Sequence, residues 1–245
     1  MTEEQKYAIE ASSMGASSSD ALEPMVNREE NVERRRNAPF CTRLCTTYNK
    51  SFLFALAMQY SNTGMRTMLI MAMNNLYEAK YGIGDTVASV YIANTNWPWA
   101  LKIFYGIICD SIAICGSSKR AYVVLMGLLQ TATLLAVALF PGMSAASVMW
   151  WTLFYSVGGA FMEVVCQGML VVECRKDPKY GSEDLQTFAW IWYGVGGTVG
   201  CFTAGILTSI YPNGPGALAC YAFCAIFTAI LGISGFFLSK DLEEN

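Results

Sequence analysis

Six long apolar segments constrain the fold of this chain more than any other feature of its sequence. Each is close to the about 20 residues that an α-helix needs to cross the hydrocarbon core of a bilayer. The first is the most polar, because Gln59, Asn62 and Arg66 interrupt it. The segments lie at about 51–76, 87–109, 121–140, 146–173, 186–210 and 217–238. We therefore predict an all-α membrane protein with six transmembrane helices.

Turn signals and the placement of charge support this count. Pro141-Gly142 and residues 212–215 break the chain between spans three and four and between spans five and six. Cations occupy alternate connections, and the other connections contain Lys80 alone. The first set includes Arg34, Arg35, Arg36, Arg43, Lys50, Lys119, Arg120, Arg175, Lys176, Lys179 and Lys240. The positive-inside rule then predicts a multi-pass protein with both termini in the cytosol.

The polar ends of the chain are predicted to lie outside the membrane. Residues 1–46 lack an apolar period, and we interpret them as a disordered cytosolic tail. The bundle is predicted over 47–240, and 241–245 form a short cytosolic end. The acidic start argues against a mitochondrial transit peptide, and no signal-peptide apolar region follows it. We expect the plasma membrane rather than an organelle.

Composition argues against several classes of protein. The chain is 54% hydrophobic and contains no histidine, so a zinc site or a Ser-His triad has almost no support. Its nine cysteines show no CxxC pair, and we interpret them as small core residues. The net charge is −3 and basic residues are not interleaved with aromatic ones, which argues against nucleic acid as a partner. We expect no metal, no cofactor and no enzymatic activity.

Two motifs in series are the most specific signal in the sequence. The first spans the end of span two and the start of span three. It contains Trp97-Pro98-Trp99, Lys102, Gly106, Asp110, Gly116, Lys119-Arg120 and Tyr122. The second lies on spans four and five, and contains Glu163, Val171-Val172-Glu173-Cys174-Arg175, Glu183, Leu185-Gln186, Gly196-Gly197 and Gly200. At this spacing the two motifs resemble the folate–biopterin transporter family of the major facilitator superfamily.

The resemblance implies a fold, a substrate class and a gating motif. The fold would be the amino-terminal half of a major facilitator transporter, built from two three-helix repeats. The substrates would be pteridines, folates or related organic anions, moved by alternating access. The gating motif would hold the cytosolic helix ends together in one state, with Asp110 paired to Lys119, Arg120 or Arg175. Its residues are Gly106, Asp110, Gly116, Lys119, Arg120, Glu173 and Arg175.

Three ionisable residues are predicted near the middle of the membrane. At the helical rise, Lys102 lies ~12 Å and Glu163 ~15 Å from the cytosolic end of its span. Arg66 lies well inside span one. Such groups usually face protein or a water-filled cavity. Two interpretations stay open: a structural Lys102–Glu163 pair, or a site where Lys102, with Arg66 as a weaker candidate, favours an anionic substrate. In the second, Glu163 binds the substrate ring or carries a coupling proton. If span one is shifted, Arg66 would instead extend toward a lipid headgroup.

Glycines and aromatic residues have simpler interpretations. Five glycines of span five are predicted to allow close approach of a neighbouring helix. They are Gly194, Gly196, Gly197, Gly200 and Gly205. The aromatic residues near the outer boundaries are predicted to form an interface belt, with stacking of a flat pterin on one of them as the alternative. They are Trp97, Trp99, Trp150, Trp151 and Tyr211.

The sequence matches only the first half of a major facilitator transporter, which has two six-helix halves around its substrate site. The chain is therefore truncated, pairs with a second six-helix half or another membrane subunit, or no longer transports. The alternative to a transporter is a non-transporting membrane subunit or scaffold that keeps the half-fold. The expected partners are the lipid bilayer, a folate-like or pterin-like small molecule, and that second half or subunit.

Overall fold

The computed structural model describes residues 39–112, 119–177 and 180–238, and every regular element in these ranges is helical. Helix α1 is Phe40–Thr47, so the last part of the predicted tail is helical rather than disordered. It belongs to a compact unit that ends at Thr47, and the bundle forms a second unit from Tyr48 onward. The rest of the predicted tail and the predicted cytosolic end lie outside the described residues.

The bundle follows the predicted apolar segments closely. Each segment except the second corresponds to one continuous α-helix. Helix α2 continues into a π-helical turn, Leu76–Lys80, and α9 ends in a 3-10 turn, Gly235–Phe237. The helices are α2 Lys50–Asn75, α3 Asp85–Asn94, α4 Trp97–Ala100, α5 Lys102–Ser111, α6 Arg120–Leu139, α7 Ala145–Cys174, α8 Gly181–Ile210 and α9 Pro215–Ser234.

Four helices are long and apolar enough to cross a membrane by length and composition: α6, α7, α8, and α9 with its 3-10 turn. The first two predicted spans differ from these four. Helix α2 has 26 residues, but Gln59, Asn62 and Arg66 dilute its apolar character. The second predicted span is divided among α3, α4 and α5. The count of six spans therefore stays a prediction.

The second span is not the continuous helix that the sequence analysis predicted. Helix α3 ends at Asn94, and the hydroxyl of Thr95 donates back to a carbonyl one turn earlier at 2.7 Å. Pro98 has no backbone N–H to continue the helical ladder and occupies the first turn of α4. Leu101 then leaves the α-helical region at φ −94° and ψ 9°, and α5 begins at Lys102. Local side-chain bonds and proline together break the helix.

The connections of the bundle are sorted to two ends. At one end, Lys80 donates to the carbonyl of Pro141, and the Tyr81 hydroxyl donates to the carbonyl of Met143 at 2.6 Å. Gly214, with φ 111°, lies against the Lys80 side chain at the same end. The predicted breaks at 141–142 and 212–215 are confirmed, since α6 and α8 end just before them.

Contacts at the opposite end involve the other set of connections. The guanidinium of Arg120 donates to the carbonyl of Phe236 at 3.0 Å, and the Tyr122 hydroxyl donates to the carbonyl of Ile112 at 2.9 Å. The start of α6 therefore lies beside the end of α9 and just after the end of α5. Alternate connections share one end, as an up-and-down bundle requires.

Helices α2 and α6 are central to the packing. Helix α2 packs most extensively against α8 and also against α9, whereas α6 packs against α9 and α7. Helices α4 and α5 contact chiefly α7. A core of buried side chains joins α2, α6, α7 and α9, and includes Met68, Leu134, Tyr155 and Tyr221. The broken second span is thus the most loosely attached part of the bundle.

The α2–α8 interface is a close approach of two backbones. A Cβ atom added at Gly196 would lie 2.2 Å from the carbonyl oxygen of Ser61, and one added at Gly64 would lie 2.2 Å from that of Tyr193. Gly200 is also tight, at 3.2 Å from the Met68 side chain. By contrast, Gly194 and Gly205 face open space. The predicted close approach is therefore found at Gly196 and Gly200 and is absent at Gly194 and Gly205. At Gly197 the contact is an ordinary one, with an added Cβ 3.7 Å from the carbonyl oxygen of Gly64.

Candidate functional site

The charges predicted near the middle of the membrane come together in the structure. Lys102 Nζ lies 2.7 Å from Glu163 Oε1, and their side chains are 31% and 14% exposed. The break in span two places Lys102 at the first position of α5, opposite Glu163 on α7. Gln167, one turn further along α7, donates to the same carboxylate oxygen at 3.1 Å. This ion pair is half-buried and can be reached from one side.

Trp99 supplies a further hydrogen bond to the Glu163 carboxylate. Its indole Nε1 donates to Glu163 Oε2 at 3.0 Å, so both carboxylate oxygens accept hydrogen bonds. The ring edge lies over Gly159, where an added Cβ would be 3.4 Å from Trp99 Cη2. We predicted Trp99 as part of an interface belt, and the structure instead places it inside the charge cluster. Trp97, two residues earlier, is 70% exposed.

Arg66 of α2 joins the same cluster through Trp99. Its Cζ lies 3.9 Å from the centroid of the indole ring, in cation–π geometry. A guanidinium nitrogen also donates to Oδ1 of Asn96 in the turn before α4. Within the described ranges, Arg66 forms no ion pair with a carboxylate. The residues of the cluster are Arg66, Asn96, Trp99, Lys102, Glu163 and Gln167.

The cluster carries a net positive charge. It contains two cations and one carboxylate, and Lys102 is neutralised by Glu163. Arg66 retains most of its donors and has no neutralising partner in the described part of the chain. A charge in a low-dielectric site acts more strongly than in water. The arrangement can attract an anion and can offer both donors and an acceptor to a polar ligand. Across the described residues, no group of three or more Cys, Asp or Glu is placed to hold a metal ion.

A buried polar contact lies behind the cluster. The Asn62 amide donates to Gln130 Oε1 at 3.0 Å, which joins α2 to α6 in the interior. Gln130 in turn packs on Gly158, where an added Cβ would lie 2.8 Å from Gln130 Cγ. Asn62 precedes Arg66 by one turn on α2. This contact fixes the part of α2 that presents Arg66.

The sequence analysis missed three members of the cluster: Asn96, Trp99 and Gln167. A signal for two of them was present. Trp99 lies three residues before Lys102, and Gln167 lies four residues after Glu163. Such spacings place side chains on the same face of a helix. The turn at Asn96 had no comparable signal, because the second span was predicted as one continuous helix.

The first part of the predicted gating motif lies around the end of α5. An added Cβ at Gly106 would lie 3.7 Å from Val164 of α7, which is an ordinary contact rather than a close approach. Asp110 is exposed near the end of α5. Gly116 lies outside the described residues. Lys119 caps α6, and Arg120 reaches the carbonyl of Phe236 as described above. The pairing of Asp110 stays a prediction.

The second part of the motif lies at the end of α7. Glu173 is buried, with 1% exposure, and its Oε1 lies 2.7 Å from Nζ of Lys176. Arg175 is exposed at the same helix end. The Tyr48 hydroxyl is buried nearby, where burial and the negative charge of Asp177 raise the pKa of Tyr48 above its ordinary value. This phenol therefore stays neutral beside acidic residues.

Comparison with known proteins points to one family. The model of the BT1 family matches residues 63–241. The probable folate-biopterin transporter 4 of Arabidopsis thaliana is 25% identical over 170 residues, which cover 68% of this chain and 34% of that protein. The folate-biopterin transporter of Synechocystis is 24% identical over 190 residues, covering 77% of this chain and 37% of that protein. No solved structure matches the chain.

A third relative shows the same partial coverage. The probable folate-biopterin transporter 2 of Arabidopsis thaliana is 24% identical over 185 residues, covering 75% of this chain and 37% of that protein. The chain thus spans little more than a third of the length of these relatives. The relatives are named as transporters, and BT1 is a family of transporters rather than of enzymes. With its long apolar helices the chain is an integral membrane protein, and it belongs to the BT1 family.

Proposed function

We propose that this chain forms the amino-terminal half of an alternating-access transporter of pteridines, folates or related organic anions. In this proposal it crosses the plasma membrane six times, with both termini in the cytosol. The observation that carries the proposal is the Arg66 guanidinium, which lies at mid-span, packed on Trp99 beside the Lys102–Glu163 pair. A cation at this depth without a carboxylate partner is costly in a structural role and suits a site for an anionic ligand.

The packing pattern supports two three-helix repeats. In such repeats spans one, two and three correspond to spans four, five and six. The α2–α8 interface, between spans one and five, then corresponds to the contact between spans four and two, which is that of α7 with α4 and α5. The α2–α9 interface likewise becomes the α6–α7 interface, and α6–α9 maps onto itself. The α6–α9 crossing is close, because Gly127 lies against Gly232 and the Thr131 and Thr228 hydroxyls lie 3.0 Å apart. Such a correspondence is the relation expected of inverted repeats.

The geometry favours Arg66 over Lys102 as the residue that attracts the substrate. Lys102 is paired with Glu163, so its charge is compensated within the protein. Arg66 supplies the net positive charge of the cluster. Glu163 keeps the second role predicted for it, either as an acceptor for the pteridine ring or as a carrier of a coupling proton.

Substitution of Arg66 tests this function. We expect Arg66→Met to lower folate uptake at least tenfold, as hydrogen bonds to charged groups contribute about 1.5–3 kcal/mol. Arg66→Lys should retain part of it. Lys80→Met, in the π-helical turn that follows α2, is the control and should leave uptake unchanged. Uptake is measured in cells deficient in folate uptake, with the chain alone and with the carboxy-terminal half of a relative. Folate binding that Arg66→Met leaves unchanged would contradict the site, and a stable chain that neither binds nor transports would favour the scaffold.

Cysteine accessibility tests the proposed topology. In a background without the native cysteines, we expect a cysteine at position 119 to react only after the membrane is made permeable. A cysteine at position 213, at the opposite end of the bundle, should react from outside intact cells. Labelling of 119 from outside, with none at 213, would be incompatible with six spans and cytosolic termini.

A further inference from the structure

Two groups of opposite charge are held on one side chain in the charge cluster. The face of the Trp99 indole carries the Arg66 guanidinium, and its Nε1 donates to the Glu163 carboxylate. Arg66 therefore lies over the face of the ring, and Glu163 lies at its N–H edge. Since both contact the same indole, the Arg66 Cζ atom and the nearer Glu163 oxygen are at most about 9 Å apart, given ordinary bond lengths.

This spacing limits which part of a folate the two groups can bind. A folate has a pterin ring at one end and a glutamate with two carboxylates at the other, separated by an aminobenzoyl group. In an extended folate these ends lie farther apart than Arg66 and Glu163. The two residues therefore contact the same end of the ligand rather than one end each.

The chemistry of the pair selects the pterin end. A pterin ring presents an amino group and a ring N–H as donors, next to a carbonyl and ring nitrogens as acceptors. A carboxylate accepts only and a guanidinium donates only, so Glu163 and Arg66 match the two halves of that edge. The glutamate end carries two carboxylates at neutral pH, and Glu163 would repel them.

We propose that Arg66 and Glu163 together recognise the pterin head of the substrate, and that Trp99 is the positioning residue that sets their spacing. This inference rests on the proposed function, because it concerns the same site. The net positive charge of the cluster attracts the anionic ligand, whereas the paired groups select its head. Gly159 lies beside this ring, and a Cβ atom there would be 3.4 Å from Trp99 Cη2, in van der Waals contact.

Competition binding to the purified chain, assembled with the carboxy-terminal half of a relative, tests which end of the ligand is recognised. Radiolabelled folate is bound, and then displaced with biopterin, which has the head without the tail, or with p-aminobenzoylglutamate, which has the tail without the head. We expect biopterin to displace folate and p-aminobenzoylglutamate to fail even in large excess. Displacement by the tail compound, or folate binding that biopterin does not reduce, would overturn this inference and leave the proposed function standing. Absence of binding by both folate and biopterin would overturn the proposed function, and this inference with it.

A graded series at Trp99 tests its positioning role. Trp99→Phe keeps an aromatic face for Arg66 and removes the N–H donor, so we expect the Kd values of folate and biopterin to rise together by about fivefold. Trp99→Leu removes both contacts and should raise both values at least tenfold. Gly159→Ala keeps the indole and adds a methyl group in van der Waals contact with it, so both Kd values should stay within twofold of wild type.

The controls separate positioning from packing. Trp97 lies two residues away and is largely exposed, so Trp97→Phe and Trp97→Leu should leave both Kd values within twofold of wild type. Gly168→Ala, on the same helix as Gly159 but facing open space, should do the same. Trp99→Phe should shift the melting temperature no more than Trp97→Phe. Wild-type affinity in Trp99→Leu, or a larger loss for folate than for biopterin in Trp99→Phe, would overturn the role of Trp99.

Discussion

Two helix interfaces of this bundle are built on opposite principles. Helices α2 and α8 meet backbone to backbone, because Gly64 and Gly196 leave no space for a Cβ atom between them. Helix α5 meets α7 at a looser contact, where Gly106 has room for a side chain and the Lys102–Glu163 pair provides the strongest link. Close backbone packing has no free volume and resists change. An ion pair can separate when water or a ligand replaces its partners.

The difference indicates where the bundle is rigid and where it can move. Small residues allow membrane helices to approach and gain dispersion contacts along their length. The α2–α8 interface does this over several turns. The contact of α4 and α5 with α7 depends instead on a few polar groups around Glu163. We expect the first interface to act as a fixed frame and the second to respond to ligand.

The largest effect is expected from a methyl group at the rigid interface. Gly196→Ala would place Cβ 2.2 Å from a backbone oxygen that cannot yield without moving α2. We expect a loss of about 3 kcal/mol or more, which is the upper range for overpacking. Thermal unfolding of the purified chain measures it. Gly194→Ala is the matched control, because it faces open space and helix propensity favours alanine by about 1 kcal/mol. Equal melting temperatures for the two variants would contradict the tight packing of the α2–α8 interface.

A smaller effect is expected from removal of one partner of the ion pair. Lys102→Met or Glu163→Gln alone should each destabilise the bundle by up to about 3.5 kcal/mol, the upper insertion cost of an uncompensated charge in a membrane helix. The double variant should recover part of that loss in a thermal double-mutant cycle.

The same cycle, read for uptake, separates the two interpretations of the pair. A site that binds substrate predicts that Lys102→Met loses uptake even when Glu163→Gln is added and folding is normal. Recovery of stability and uptake together would make the pair purely structural. It would also remove Glu163 from the proposed binding site.

A change in uptake rate without a change in affinity is expected at the far end of α5. Asp110 lies near the end of α5, distant from the cluster, so Asp110→Asn should reduce uptake several-fold while folate Kd changes by less than twofold. Binding and uptake are measured separately on the assembled transporter. Asp85→Asn, in the first turn of α3, is a control at the opposite end of the second span. A parallel loss of affinity and uptake in Asp110→Asn would contradict its gating role.

The smallest effect on stability is expected for a methyl group at the contact between α5 and α7. Gly106→Ala would place Cβ 3.7 Å from Val164, an ordinary van der Waals distance. We therefore expect stability to stay within about 1 kcal/mol of wild type, with any change favouring the variant through helix propensity. A loss comparable to that of Gly196→Ala would show that the two interfaces are equally tight.

The sequence was sufficient to locate Arg66, Lys102 and Glu163. Charged residues are rare inside apolar segments, so each of them is conspicuous without any structure. Their clustering followed from depth and from the order of the helices. Trp99 was not identified, because tryptophan near a span end is equally typical of an interface belt. Only the position of its ring, between Arg66 and Glu163, separates the two interpretations.

Helix breaks and helix faces were harder to predict. The motif containing Pro98 was identified, but the second span was predicted as continuous because membrane helices often tolerate proline. All five glycines of span five were predicted to face a partner helix. Gly196 and Gly200 share one face and do so, whereas Gly194 and Gly205 do not. Sequence periodicity predicts which glycines share a face of the helix. Which of these faces packs against a neighbouring helix depends on the rest of the bundle.

The break before Lys102 allows α5 to tilt as a rigid helix about Leu101. Helix α5 has ten residues and is therefore about 15 Å long, with Leu101 at its pivot and Asp110 near its far end, where the Ile112 carbonyl accepts from the Tyr122 hydroxyl. At this length, a tilt of about 5° at the pivot displaces the far end by about 1.3 Å. That displacement is enough to make or break a hydrogen bond. A ligand that draws Glu163 away from Lys102 would act beside this pivot, and we expect α5 to transmit the movement to the predicted gating residues.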